Sequence, residues 1–285
     1  MWHIHKVAPA TLIDIFVFLF GLIIGSFLNV CIVRIPEHKS IVLPASACPK
    51  CRTPIRAFDN IPVISYLLLR GKCRKCKTRI SPMYPLVEML TGVLFFFCYR
   101  GFGLTPEALK WAIFSALLIV LVFTDLRERI LPDKVNLTGA VLGLGWSVAL
   151  PLDDGTAHWL SSLLFSFPPP GRALSVVDAL LGAAAGAGIL WLFAEGYFRL
   201  RGREGMGLGD VKMMAMAGTF LGARAAVLTI MAGALLGSVL GAAFMLFRRT
   251  GSEYELPFGT FLAGAALLAV FYGPPVLAWY FGRLQ

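Results

Sequence analysis

Long uninterrupted apolar runs, rather than the two- or 3.6-residue alternation of a half-buried surface, dominate this chain. Eight such runs are Leu12–Val33, Met83–Tyr99, Ala108–Thr124, Val135–Leu150, Val176–Phe198, Gly207–Gly222, Ala225–Phe247 and Pro257–Phe281. A helix rises 1.5 Å per residue, so crossing the hydrocarbon of a bilayer takes about 20 residues. The pattern therefore predicts an all-α polytopic membrane protein with about eight transmembrane helices. Gly207–Gly222 is the weakest of them, and reading it as a re-entrant loop leaves seven spans. The first run is too long for the h-region of a cleaved signal and lacks a small-x-small exit, so it reads as a retained helix.

The polar intervals divide the chain into three parts. Residues 1–33 are a tail and the first span, and 34–82 form a loop long enough for a small folded module. Residues 83–285 form a helical bundle with short connections. The exception is the Leu152–Ser175 loop, whose His158–Phe167 stretch is rich in Trp, Leu and Phe and reads as lying along the outer interface. The run Pro168-Pro169-Pro170-Gly171 then ends any helix there. No internal repeat stands out. Composition agrees, with 58% hydrophobic residues, 15% charged and a mean hydropathy of +0.76. The formal charge of +10 would suit a nucleic-acid partner, but the positions of the charges exclude it. With the N-terminus outside, 19 of the 26 basic residues fall in inside loops, 11 of them in Arg34–Pro82. That is the distribution of a membrane protein facing an anionic inner leaflet, with both termini outside.

The loop module holds Cys48-Pro-Lys-Cys51 and Cys73-Arg-Lys-Cys76. Two C-x2-C pairs separated by 21 residues come close to the spacing of a four-thiolate Zn²⁺ site. About 50 residues bury too little core to hold themselves together, and a tetrahedral ion can replace that core. Four thiolates leave no open coordination position, so the role is structural. Disulfides would be the other use of these cysteines, and an inside location argues against them. Cys31 and Cys98 lie in spans and read as packing residues.

Ionisable residues within spans are costly and point to function. Asp14, Glu88, Asp125, Glu195, Asp210 and Lys212 make up the sequence-level set. The charge-derived topology puts Asp125 and Asp210 at the inside ends of their helices, hence at one depth. Two carboxylates in one partly desolvated site share a proton, which supplies an acid and a base together. The ionised one activates water, and the protonated one hydrogen-bonds a scissile carbonyl. The glycines of Gly205-Met-Gly-Leu-Gly-Asp210 would let the backbone unwind and approach a substrate. Alternatively, Asp210 pairs with Lys212 or Arg127 in a structural ion pair. Asp133 and Glu128 read as solvated or capping groups.

Gly205-Met-Gly-Leu-Gly-Asp210-Val-Lys212 resembles the GxGD signature of the type IV prepilin peptidases, and Asp125-Leu-x4-Leu-Pro-Asp133 resembles that family's other aspartate motif. Gly25-Ser-Phe-Leu-Asn-Val-Cys31, the C-x2-C pairs and Ser81-x2-Tyr84-Pro-Leu-Val-Glu88 resemble its N-terminal portion. The resemblance, from about Gly21 to Phe261, implies an enzyme of the bacterial inner membrane. Such an enzyme cleaves the basic leader of prepilins or pseudopilins after a glycine, with Asp125 and Asp210 as its catalytic pair. It also implies N-methylation of the new N-terminus from S-adenosylmethionine. The residues themselves show no Gly-rich βαβ fingerprint for that donor. Glu88 matches a family position and would attract a sulfonium or accept an amine proton; equally, it is a glutamate hydrogen-bonded within the bundle. Gly71 approaches a ligand or makes a plain turn. A GxGD protease without methyltransferase activity is the main alternative. A transporter or assembly scaffold fits less well, because the acids sit at one face and no inverted repeat is visible.

Overall fold

The computed structural model describes residues 11–152, 154–164, 170–203, 206–248 and 257–282, and within them the chain is helical. The helices are α1 (Leu12–Arg34), α2 (Ile64–Leu68), α3 (Met83–Phe102), α4 (Pro106–Glu128) and α5 (Asp133–Ala149). They continue as α6 (Thr156–Leu164), α7 (Gly171–Arg201), α8 (Leu208–Leu221), α9 (Ala223–Arg248) and α10 (Phe258–Gly282). Each expected span contains a helix. Among the described residues, six helices are long and apolar enough to cross a membrane: α1, α3, α4, α7, α9 and α10. At 17 and 14 residues, α5 and α8 are shorter than the roughly 20 residues that crossing alone requires, so eight full spans is more than the helix lengths support. The chain is a multi-pass membrane protein of two compact units, residues 1–120 and 121–285, whose boundary falls within α4.

In the first unit, α1 and α3 pack antiparallel along a stripe of small residues. A Cβ on Gly21 would lie 2.7 Å from the Gly92 Cα, and one on Gly25 would lie 2.6 Å from the Glu88 Cα. One turn further on, the Asn29 amide donates to the Tyr84 carbonyl at 3.0 Å. Lipid gives helices no hydrophobic reason to associate, so close backbone approach supplies the contact instead. At the other end of the pair, buried Asp14 closes the capping box of α1 with Thr11 and meets the Arg100 Nε of α3 at 2.8 Å. That ion pair assigns Asp14 to structure.

The module between α1 and α3 contains a repeat that inspection of the sequence overlooked. Cys48-Pro-Lys-Cys-Arg-Thr53 and Cys73-Arg-Lys-Cys-Lys-Thr78 adopt the same turn. In one, Cys48 N–H donates to Thr53 O (3.0 Å) and Arg52 N–H to Cys48 O (2.8 Å). In the other, Cys73 N–H donates to Thr78 O (2.8 Å) and Lys77 N–H to Cys73 O (3.0 Å). Arg52 and Lys77, at matching positions, take φ of 54° and 57°. The period is 25 residues with dissimilar sequence between, which hides six-residue repeats from a search for longer ones.

In the second unit α8 is the central helix. Met213, Met214, Met216, Ala217 and Phe220 are all almost fully buried. Gly182 and Gly186 of α7 sit against Gly218 and Met214 of α8, so those two helices run antiparallel. Asp133–Lys212 and Gly143–Thr219 contacts set α5 parallel to α8. A helix sheathed by neighbours on every side can be short, because protein rather than lipid surrounds its ends. Asp178, omitted from the sequence-level set of intramembrane acids, is buried in α7 and accepts from the Ala157 N–H at the start of α6 (2.7 Å). The expected Val176–Phe198 span is longer at both ends, since α7 starts directly after Pro170. Proline supplies no N–H and suits a helix start. Phe165–Pro169, Gly205, Arg249 and both terminal tails lie outside the described residues.

Candidate active site and metal centre

The second unit brings Asp125 and Asp210 together. Asp125 lies in the last turn of α4 and Asp210 in the first turn of α8, exposed to 7% and 8% respectively. Both face Gly259 in the first turn of α10. A Cβ there would lie 2.8 Å from Asp210 Oδ1 and 3.2 Å from Asp125 Oδ2. These two lengths add to 6.0 Å, the greatest separation the two oxygens can have. Both carboxylates thus border the small space that Gly259 leaves open.

Helix ends supply the electrostatics. Asp125 Oδ2 accepts from the Thr260 N–H at 3.1 Å and from the Thr260 hydroxyl at 3.0 Å. A carboxylate at the positive end of α10 is stabilised there, which offsets its place at the negative end of α4. Asp210 stands at the positive end of α8. The alternative pairing of Asp210 with a cation does not occur among the described residues. Lys212 bonds both oxygens of Asp133 at 2.8 Å, and Arg127 lies 3.5 Å from Glu128. Glu195 pairs with Arg199 at 2.7 Å on the exposed side of α7.

The expected unwinding before Asp210 is not seen from Leu208 onward, where the helix is regular and Gly207 precedes it in extended conformation. The glycines serve closeness instead: a Cβ on Gly209 would meet the Leu131 Cβ at 3.0 Å. Leu131 returns over the site because α4 ends at Glu128 and the next residue, Arg129, takes φ 56° while its N–H bonds to Asp125 O. Gly259, Thr260 and Leu131 were missed in the sequence. A glycine and a hydrogen-bonding residue opening the last helix, which the charge-derived topology sets at the depth of the aspartates, was the available signal.

In the first unit, the four sulfurs of Cys48, Cys51, Cys73 and Cys76 all lie within 4.8 Å of one another. Cys48 Sγ and Cys76 Sγ are 3.7 Å apart, and Cys51 Sγ and Cys73 Sγ are 4.0 Å apart. Four thiolates at about 2.3 Å from a tetrahedral ion stand about 3.8 Å from each other, so this set can hold a metal ion. The Thr53 hydroxyl, 3.3 Å from Cys51 Sγ, holds that thiol down to about 6, which favours the thiolate a metal needs. Asp59 clasps Arg74, beside Cys73, through contacts of 2.6 to 3.1 Å.

Glu88 is buried at the edge of this module and accepts from the Val63 N–H at 2.7 Å. Val63 takes φ 59°, a left-handed conformation that a β-branched residue adopts only under constraint. Gly71, at φ +64°, packs against Tyr66, whose hydroxyl a Cβ would meet at 2.9 Å. Its N–H bonds to Tyr66 O (2.9 Å), and its carbonyl accepts from Ile80 N–H (2.7 Å), so it makes a turn leading into the second knuckle.

A helical membrane bundle with two buried aspartates converging at the starts of two helices defines the class of intramembrane aspartyl proteases. Comparison with known proteins narrows it. Residues 19–102 match the Bacterial Peptidase A24 N-terminal domain, and residues 112–246 match the Type IV leader peptidase family. The chain belongs to the type IV leader peptidase family. It is 35% identical to a prepilin leader peptidase/N-methyltransferase of Aeromonas salmonicida, with 94% of each chain covered. It is 41% identical to one of Neisseria gonorrhoeae, over 77% of this chain and 78% of the relative. A Pseudomonas aeruginosa protein of the same name is 34% identical, over 92% and 91%. No solved structure matches the chain significantly.

Proposed function

We propose that this chain is a prepilin leader peptidase and N-methyltransferase of the bacterial inner membrane. It cleaves the basic leader of prepilins or pseudopilins at the cytoplasmic face, with both of its own termini in the periplasm. The single observation that carries the peptidase reading is the convergence of Asp125 and Asp210 on the gap at Gly259. In that reading Asp125, held by Thr260 at the start of α10, is the base that draws a proton from water. Asp210 donates a hydrogen bond to the scissile carbonyl and passes its proton to the leaving amine. Thr260 fixes the direction of the Asp125 carboxylate, and Gly259 keeps space for the peptide.

Zn²⁺ is the metal proposed for Cys48, Cys51, Cys73 and Cys76, since four thiolates with paired knuckles form a closed structural site. Bound there, it would join the two halves of a module that otherwise has little core. S-adenosylmethionine, which supplies a methyl group on a sulfonium, is the donor that the relatives' name implies. Buried Glu88, and Asn29 Oδ1 one turn away along the α1–α3 seam and without a partner among the described residues, fit a cationic reactant in the first unit, whereas Gly71 is occupied in its turn. The relatives' shared name, which couples leader peptidase to N-methyltransferase, favours the bifunctional enzyme over a protease alone.

Purified enzyme in liposomes, given a prepilin and a methyl-labelled donor, tests this reading. Trimmed product carrying label on its new N-terminus is the expected result. Trimming without label would leave the protease-only alternative, and no trimming would remove the assignment.

A further inference from the structure

The polar face between α1 and α3 contains a group that the fold leaves unsatisfied. Asn29 is 4% exposed, and its Nδ2 donates to Tyr84 O, yet its Oδ1 is buried without a partner among the described residues. A buried acceptor left open is costly and marks a missing donor. Glu88 lies one turn of α3 beyond Tyr84, and Gly25, one turn of α1 before Asn29, abuts its Cα. The Ser26 hydroxyl reaches the Glu88 carboxylate as well. Above them, strained Val63 presents its N–H to Glu88 Oε2. Asn29 and Glu88 therefore stand about one helical turn apart in register along the α1–α3 seam, with the Glu88 carboxylate bonded to the metal module through Val63.

We infer that Asn29 and Glu88 form a seat for a primary ammonium, and that its occupant is the freshly exposed N-terminus of the trimmed substrate. Two acceptors call for a ligand with several N–H donors, which an α-ammonium has and a sulfonium centre lacks. Such a nitrogen has no lone pair until it loses a proton. Glu88 takes that proton: one N–H bond breaks, one O–H bond forms, and the amine keeps the electron pair that methylation requires. Asn29 is a binding residue that holds the amine against Glu88. The proposal rests on the peptidase–methyltransferase reading, and it specifies which reactant the first unit binds here.

The test measures binding to full-length enzyme in nanodiscs with no methyl donor present. Its probes are trimmed product peptide with a free N-terminus, the same peptide N-acetylated, and the detached lysine-bearing leader. The wild type should bind the free amine at least about tenfold more tightly than the acetylated form, as for loss of a charged hydrogen bond. Asn29→Leu should reduce that preference several-fold, since Glu88 alone remains to hold the ammonium. Asn29→Asp, which also loses the Nδ2 bond but keeps an acceptor, should retain it. Unchanged zinc content and thermal midpoint certify each variant. Equal wild-type affinity for both peptides overturns the proposal without needing any variant to fold. So does a preference undiminished in Asn29→Leu, or one reduced equally in Asn29→Asp. If Asn29→Leu instead weakens binding of the leader, or if a separate titration with S-adenosylmethionine, which carries an amino group of its own, shows its affinity lowered by Asn29→Leu, the seat belongs to those ligands and the proposal fails. A wild-type enzyme that trims no prepilin would fail the underlying reading first, whereas trimming without amine preference fails this seat alone.

Discussion

At the residue scale the active site depends on two side chains that are small or short. Gly259 has room for a hydrogen only, since a Cβ would come within 2.8 Å of Asp210 and 3.2 Å of Asp125. Gly259→Ala should therefore block substrate entry and displace a carboxylate. Cleavage should fall by about 100-fold or more, as expected when reacting groups are misplaced by an ångström. Thr260→Val keeps the backbone N–H on Asp125 and removes the hydroxyl. It should slow cleavage about tenfold, the effect of losing one hydrogen bond to a charged group. Single-turnover cleavage in detergent reads both effects, and normal rates in both variants would show that the start of α10 does not shape the site. The aspartates were legible in the sequence because buried charge in an apolar run is rare. Thr260 and Gly259 were not, because neither is unusual in composition and their role depends on a contact 135 residues away.

At the element scale, a stripe of glycines and a shared set of thiols hold pieces together that have little core of their own. The run Gly21-x3-Gly25-x3-Asn29 matches Tyr84, Glu88 and Gly92 across α1 and α3. Gly25→Leu should lower the thermal midpoint of the first unit, with overpacking costing about 1–3 kcal/mol. Hydrogen exchange confined to α1 and α3 would locate the change. The knuckles should behave as one element. Replacing Cys51 or Cys76 with Ser should abolish stoichiometric zinc and speed proteolysis of residues 34–82 before the helices melt. Metal analysis that finds no zinc in wild-type enzyme would remove that centre. The cysteine spacing was legible because metal ligation imposes fixed intervals. The short α8 was hard to read, because its apolar surface points in all directions and carries no period. Only its place among α5, α7, α9 and α10 explains 14 helical residues there.

For the whole molecule, charge and apolar surface set how a substrate arrives. Arg34–Pro82 holds 11 basic residues against Glu37 and Asp59. A basic leader would be repelled by that segment, so attraction to the enzyme does not deliver it. In the proposed orientation, leader and loop would both be drawn to an anionic inner leaflet, by roughly 1 kcal/mol per basic residue at the surface. The apolar segment after the leader would then diffuse in the membrane to the bundle. Anionic lipid should therefore raise the apparent affinity for full-length prepilin, and a soluble leader peptide should be cut poorly in any lipid. Equal rates for both substrates in neutral and anionic liposomes would contradict that route.

The central claim is that Asp125 and Asp210 act as one acid–base pair, and cleavage by the two conservative amides tests it most directly. Asp125→Asn and Asp210→Asn keep side-chain size and remove one member of the pair each. Cleavage of full-length prepilin should be measured for each beside wild type, with zinc content and thermal midpoint confirming an intact fold. The account predicts that either change alone, and the double change equally, lowers cleavage by at least about 10³-fold, because the two groups work as a unit. Near-normal cleavage by either well-folded variant would contradict it.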